Sequence, residues 1–576
     1  MFSGIRVILY LGDTMSGKNK KRKLKVGKII IVGIVLLLLI VGVLVLFNVG
    51  KGFATKKVDM YLASKEDVIS LFVMDEEGKL NKGDDLVRGT KVVCYDEEVL
   101  IDEVNYIKIE YNKNIYYVIS DNVVKDSHDV VLEDTKYVRT SVTVYENETD
   151  SSIKSFIKKG NELEVTDYDK LLEDGSVNMY KIKSGEIEGW VYGKYLVNDM
   201  DSALANYNEN GVYDIHKNRK YSKELYGGKA STLDYYPYER VEFDDNPLLK
   251  EAKSMYLNGT SKVISKIDEY LKIAKDSGVN AIVVDIKDGA LAYSSEVAKE
   301  ISPTAYKSAM NSNDSYKSAI DKIKDAGIYV IGRIVVFNDS HYGKDHPEDC
   351  ISSSASSRLW PSAYSRGAWE YNVLLAKEAV TMMGFNEIQF DYVRFPEDAY
   401  NMSTKGNTDF KNLYNEEKAE AVQNFLFYAS DQIHKVGAYL SVDVFGECSS
   451  EYVTSYGQYW PAISNIVDVI SSMPYTDHFG RTTDTWSKPY SLIYNWALKT
   501  AKRQTEIPTP GVARTWITAY DTPHWNPTVV YDANKISEQV RALYDGGLKG
   551  GFITWNSASS LYKYGQIKSA FAKDYS

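Results

Sequence analysis

Within Glu387-Ile-Gln-Phe-Asp-Tyr-Val-Arg-Phe-Pro-Glu397 a run of strand-forming residues ends on a carboxylate, Asp391. A guanidinium, Arg394, follows three residues later, and Pro396 breaks the pattern. Side chains alternate along a strand, so Gln389 and Asp391 share one face while Ile388 and Phe390 share the other. Comparable polar residues close other apolar runs: Asp285 and Lys287, Arg333, Asp443 with Glu447 just beyond it, Tyr475 with Asp477 and His478, Arg514 with Trp516, and Trp555 with Asn556. Burying a lone carboxylate costs several kcal/mol unless it is paired or hydrogen-bonded. One such residue reads as a structural ion pair; several, interleaved with arginines and tryptophans, read as a cleft.

The chemistry open to that set is narrow. The chain has no His-x-His at a strand end, no His-Glu-x-x-His and no Gly-x-Ser-x-Gly, the patterns of metal-dependent hydrolysis and of a nucleophile elbow. Glycoside hydrolysis needs only two carboxyl groups, about 5–5.5 Å apart for retention and about 6.5–9.5 Å for inversion. Asp391 is the expected nucleophile or stabilising carboxylate, kept ionised by Arg394. Glu447 is the first choice for the general acid/base and Asp443 the second. Asp285 and Arg333 are expected to hold sugar hydroxyls or orient Asp391, with Arg394, Tyr475, Trp516, Trp555 and Asn556 against the substrate. No cofactor and no metal are called for. The alternative is a non-catalytic carbohydrate-binding or cell-wall scaffold protein.

These residues need strands to present them. From about residue 251 to 576, apolar β-rich runs alternate with helical periodicity. The predicted strands are Ser254–Leu257, Ala281–Lys287, Tyr329–Val335, Glu387–Arg394, Tyr439–Phe445, Val467–Met473, Thr509–Arg514 and Gly551–Trp555. Helical stretches such as Lys262–Lys275, Trp369–Met383, Asn415–His434 and Ile536–Tyr544 separate them. The fold class this predicts is α/β, a (β/α)8 TIM barrel whose chemistry sits at the carboxyl ends of the strands. The long insert Asn338–Ala368 would stand at that mouth.

Ala281-Ile-Val-Val-Asp-Ile-Lys-Asp288, Gly332-Arg-Ile-Val-Val-Phe337, Gly384 through Pro396, Ser441-Val-Asp-Val-Phe-Gly446 and Trp555-Asn556 together resemble a bacterial glycoside hydrolase domain family once catalogued only as a domain of unknown function. The resemblance spans about residues 250–576 and implies a TIM barrel related to retaining glycosidases. It supplies no substrate. At Thr515-Trp-Ile-Thr-Ala-Tyr520 this chain departs from the Trp-Leu-Gln-Ala-Phe type of run common in that family.

Upstream the pattern changes. Residues 54–127 and 133–198 read as two sets of short strands similar in length and order, hence a tandem repeat. In the second, Tyr137-Val-Arg139, Lys159-Gly160 before Leu163-Glu-Val165, and Gly189-Trp-Val-Tyr-Gly-Lys-Tyr-Leu196 resemble a bacterial SH3-like domain, with Trp190 expected in its core. The first would be a degenerate copy, and such modules imply binding to cell-wall peptides or glycans. Residues 199–250 read as a linker or a strap lying on the barrel. A basic segment, 1–28, expected in the cytoplasm, precedes the uncharged run 29–49, long enough for a single transmembrane helix, with a cleaved signal peptide as the rival reading. The remaining domains would then be extracellular, anchored in the cell membrane and facing a polysaccharide or peptidoglycan-type glycan. A net charge of -11 and pI near 5.4 argue against a nucleic-acid partner. The three cysteines are too few for a disulfide framework. The 46 tyrosines against 17 phenylalanines suit a wet, sugar-like ligand, or are a compositional habit.

Overall fold

The computed structural model describes residues 56–149, 151–219, 227–479, 482–522 and 528–575. Among these no helix is long and apolar enough to cross a membrane; the run 29–49 lies outside them. The chain divides after Leu132 into two compact units.

The first unit is a seven-stranded antiparallel sheet formed by Lys57–Leu62, Val68–Met74, Leu80–Val87, Lys91–Ile101, Val104–Tyr111, Asn114–Ile119 and Val123–Val124. Alternation selects its core: Ile69 and Leu71, Val92 and Cys94, Ile109, and Tyr116 with Val118 point inward. Two hairpins turn on paired residues with positive φ, Asp102-Glu103 and Asn112-Lys113, the geometry whose twist matches that of the flanking strands.

The second unit opens with another seven strands: Thr135–Val138, Val142–Tyr145, Ile153–Ile157, Glu162–Tyr168, Met179–Ser184, Ile187–Tyr192 and Leu196–Val197. Numbered from its own first strand, each sheet runs in the order 3-2-6-5-4-1-7. The two sheets are therefore topological copies. Trp190 is only half-buried; strand alternation gives the inward places to Gly189 and Val191 instead.

The barrel follows. Its parallel strands are β1 (Ala252–Leu257), β2 (Ala281–Asp288), β3 (Tyr329–Val335), β4 (Glu387–Asp391), β5 (Tyr439–Phe445), β6 (Val469–Met473), β7 (Val512–Ala513 and Thr515–Thr518) and β8 (Gly551–Trp555). The interposed helices are α1 (Ile267–Ser277), α2 (Asn313–Asp325), α3 (Arg366–Met383), α4 (Lys418–His434), α5 (Trp460–Ser464), α6 (Pro489–Gln504), α7 (Ala533–Asp545) and α8 (Leu561–Phe571). Nine parallel segments form the nearly closed wall because β7 is split at Arg514. Val512–Ala513 pairs with β6, whereas Thr515–Thr518 pairs with β8. Helices facing solvent on one side bury an i, i+3, i+4, i+7 stripe, as Tyr316, Ala319, Ile320 and Ile323 do on α2.

α4 breaks that rule, for nearly every residue from Lys418 to Ile433 is buried. The second antiparallel sheet covers its outer face. Asp431 accepts from Lys194 Nζ at 2.5 Å and Tyr195 Oη at 2.9 Å, and Tyr428 stacks on Tyr145 and donates to the Ser151 carbonyl. Residues 227–250 lie along the barrel as a strap. Arg240 donates to the main-chain carbonyls of Ser464, Ile466 and Val467, just where α5 ends. Asn246 ties Asn386 to Gly437, and Leu249 packs against the cluster inside the barrel.

Candidate active site

Arg333, projecting from β3, is the centre about which the polar strand ends assemble. Its Nη1 lies 2.8 Å from Asp285 Oδ1 of β2 and 3.3 Å from Asp288 Oδ2. Nη2 lies 2.6 Å from Asp391 Oδ2 of β4, and Nε 3.7 Å from Asp443 Oδ2 of β5. The parallel register sets this directly, since Asp285 pairs across from Arg333, and Arg333 from Gln389. One guanidinium thus stands among four carboxyl groups, where a cation would otherwise be needed. Among the described residues, no group of three or more His, Cys, Asp or Glu is arranged to hold a metal ion.

The four carboxyls differ in environment. Asp443 is fully buried and accepts from Trp516 Nε1 at 2.7 Å, while its Oδ2 makes no hydrogen bond. Burial, reinforced by the charge of Asp391, pushes its carboxyl well above the usual range. Burial also raises Asp285 to about 6, against the pull of Arg333; the hydroxyl of Tyr256 donates to its other oxygen. Asp391 accepts the backbone N–H of Tyr392 at 2.6 Å. Tyr392 has φ +56°, a left-handed conformation uncommon for a bulky residue and characteristic of functional turns. It ends β4 at Asp391, so Arg394 stands beyond the strand.

Asp391 opens on a cleft of about 210 Å³. Arg333, Tyr392, Arg394, Phe445, Met473, Tyr475, His478, Trp516, Tyr520 and Trp555 line it as well. Tyr475 and Trp555 stack with ring centroids 6.3 Å apart, and Trp516 stands edge-on to Trp555. Such faces suit sugar rings, apolar on one side and polar at the edge.

The predicted residues divide into three groups. Asp391, Arg333, Arg394, Tyr475, Trp516 and Trp555 line the cleft, with Asp285 and Asp443 immediately behind them. Asn556 turns away, donating to the Ala519 carbonyl and accepting from the Ser560 N–H at the start of α8. Glu447 is exposed on a 3-10 turn and accepts from the hydroxyls of Tyr452 and Tyr456 at 2.8 and 2.9 Å, outside the lining. Two expected pairings also differ. The cation on Asp391 is Arg333, while Arg394 bonds Glu397 at 2.7 Å. A β-bulge after Asp285 turns Lys287 to Asp339 and Asn372, away from the cluster. Asp288, Tyr256 and the Tyr520–Asp477 hydrogen bond at the rim were not singled out from the sequence. For Asp288 a signal existed: an acid at the last strand position before Gly289.

The sequence profile of a family described as "Putative glycosyl hydrolase domain" matches residues 254–562, a span that takes in the barrel strands from the third residue of β1 to the end of β8 and every residue of the cleft. The chain belongs to that family. Three solved structures similar to this glycosyl hydrolase-type chain illustrate the range. A hypothetical protein from Ruminiclostridium thermocellum is 32% identical over 33% of this chain and 97% of that one, with TM-score 0.28. The PgaB (BpsB) glycoside hydrolase domain from Bordetella bronchiseptica is 11% identical over 56% and 99%, with TM-score 0.42. The Bacillus megaterium spore cortex-lytic enzyme SleL is 12% identical over 56% and 75%, with TM-score 0.36. None of the curated proteins matches the chain.

Proposed function

We propose that the chain is a membrane-anchored, outward-facing glycoside hydrolase acting on a cell-wall or extracellular polysaccharide. One observation carries this reading: Asp391, paired with Arg333, opens on an aromatic-walled cleft at the carboxyl end of the barrel. A carboxylate ion-paired with a buried guanidinium can stabilise or capture the positive charge that develops on an anomeric carbon, and a second carboxyl protonates the departing oxygen. The uncharged run 29–49 is the proposed anchor, with the N-terminus in the cytoplasm. The two antiparallel sheets are the proposed SH3-like modules. Only the first belongs to a unit of its own; the second has its Tyr145 and Tyr195 committed to α4, so wall binding is assigned to residues 56–132.

The test is hydrolysis of purified peptidoglycan and extracellular polysaccharide by residues 133–576, followed by release of reducing ends. Asp391→Asn should lower turnover by about a thousandfold or more. A wild-type chain that binds these glycans without releasing reducing ends would replace the hydrolase with a carbohydrate-binding scaffold.

A further inference from the structure

The carboxylate pair still lacks its second member. Neither candidate singled out from the sequence is an open member of the Arg333 cluster: Glu447 is engaged by two tyrosines outside it, and the Asp443 side chain is wholly buried. Around the cleft, Glu397 is pinned by Arg394 and lies 3.7 Å from Arg358. Although burial works the other way, those arginines hold its carboxyl below the usual range. Asp477 is tied to Tyr520.

We infer that Asp288 is the general acid/base of the hydrolase proposed above, an assignment that rests on that reading. Its carboxyl is 49% exposed while Asp285, Asp391 and Asp443, the other three groups around Arg333, are at most 5% exposed. It is therefore the member of the cluster that can exchange protons with water. Because one guanidinium touches both carboxyls, through Nη1 and Nη2 respectively, the bonded oxygens of Asp288 and Asp391 are at most about 8 Å apart, short of the outer limit at which glycosidases pair such groups. Gly289, with φ +69°, turns the chain directly after it, and Lys287 and Asp288 pair with Ala290 and Leu291 in a tight hairpin, so the position is fixed at the strand end.

In the reaction Asp288 gives its proton to the glycosidic oxygen as the bond from that oxygen to the anomeric carbon breaks. The electron pair of the bond stays on the oxygen, which departs as an alcohol, and the Asp391 carboxylate balances the charge left on carbon. Water then adds its hydroxyl to the anomeric carbon and its proton to the Asp288 carboxylate, restoring both groups.

Leaving-group dependence separates this role from a structural one. Residues 133–576 would be assayed on peptidoglycan, whose leaving group needs a proton, and on 2,4-dinitrophenyl glycosides of common hexoses and N-acetylhexosamines, whose leaving group does not. Asp288→Asn should lose about a thousandfold on peptidoglycan and less than about tenfold on the dinitrophenyl glycoside, and its pH profile should lose the alkaline limb. Asp288→Glu should recover part of the peptidoglycan rate with a shifted alkaline limb, which keeps the test open if the asparagine variant fails to fold. Equal losses on both substrates, or no loss while Asp391→Asn is inactive, would overturn the assignment and leave the hydrolase standing. A wild-type chain inactive on every substrate would overturn the hydrolase reading itself.

Discussion

Arg333 meets four carboxyl groups with a single positive charge, and that imbalance makes the centre sensitive to pH. Burial raises the folded value of Asp285 to about 6, against about 3.9 in an unfolded chain. Between about pH 4 and 6 the folded state therefore holds more protons than the unfolded state, and this group's contribution to stability falls as pH rises. The deficit is complete above about pH 6 and amounts to about 1–3 kcal/mol. Asp443, raised further by burial, acts in the same direction. Asp285→Asn removes one of these titrations, so melting curves at pH 4 and pH 7 should differ less for the variant than for the wild type. A variant with an unchanged pH difference would show that Asp285 is ionised throughout. The same surplus of acids predicts that Asp391→Asn, despite removing a buried ion-pair partner, costs little stability, about 1 kcal/mol, because Arg333 keeps Asp285 and Asp288. Urea unfolding of the variant measures that cost.

At the level of elements, the split strand β7 places Arg514 fully buried inside the barrel, where Nη1 meets Glu387 Oε1 at 2.8 Å and Nη2 reaches the Leu249 carbonyl. Breaking such a pair strands a buried charge and costs about 3–5 kcal/mol, whereas replacing both partners by apolar residues is often close to neutral. Arg514→Leu should lower the urea midpoint sharply, and Glu387→Leu/Arg514→Leu should regain most of the loss. β3, β5 and β8 were legible to the residue: Tyr329–Val335, Tyr439–Phe445 and Gly551–Trp555 are runs rich in β-forming residues, each preceded within two positions by a glycine. β7 was not. Pro508 and Pro510 precede it, Arg514 interrupts it, and the paired segment reaches Thr518, past the expected end at Arg514. β4 stops at Asp391 because Tyr392 takes a left-handed turn that local sequence does not announce. In the site, chain proximity suggested Arg394 for Asp391, but the true partner is 58 residues away. Such a pairing follows from barrel closure, which alternation along one strand does not reveal. The abundant tyrosines likewise serve burial as much as any ligand: Tyr256, Tyr316 and Tyr195 are core residues whose hydroxyls bond Asp285 or Asp431.

The molecule as a whole divides elsewhere than composition suggests. Strap, barrel and second antiparallel sheet belong to one unit beginning at Glu133, and residues 56–132 to another. A fragment starting at residue 199 would uncover α4 and leave the Asp431 carboxylate without Lys194 and Tyr195. Its melting temperature should fall on the order of 10 °C below that of residues 133–576, and calorimetry of residues 56–576 should resolve a separate transition for the first sheet. Equal melting of the two fragments would show that the second sheet adds nothing to the barrel. This arrangement also has a consequence during synthesis. Tyr195 leaves the ribosome 236 residues before Asp431, a wait of roughly 10–50 s at ordinary elongation rates. Through that interval the nascent sheet presents bare aromatic rings to whatever chaperone or export factor is at hand, and the barrel cannot release them until its fourth helix has been made.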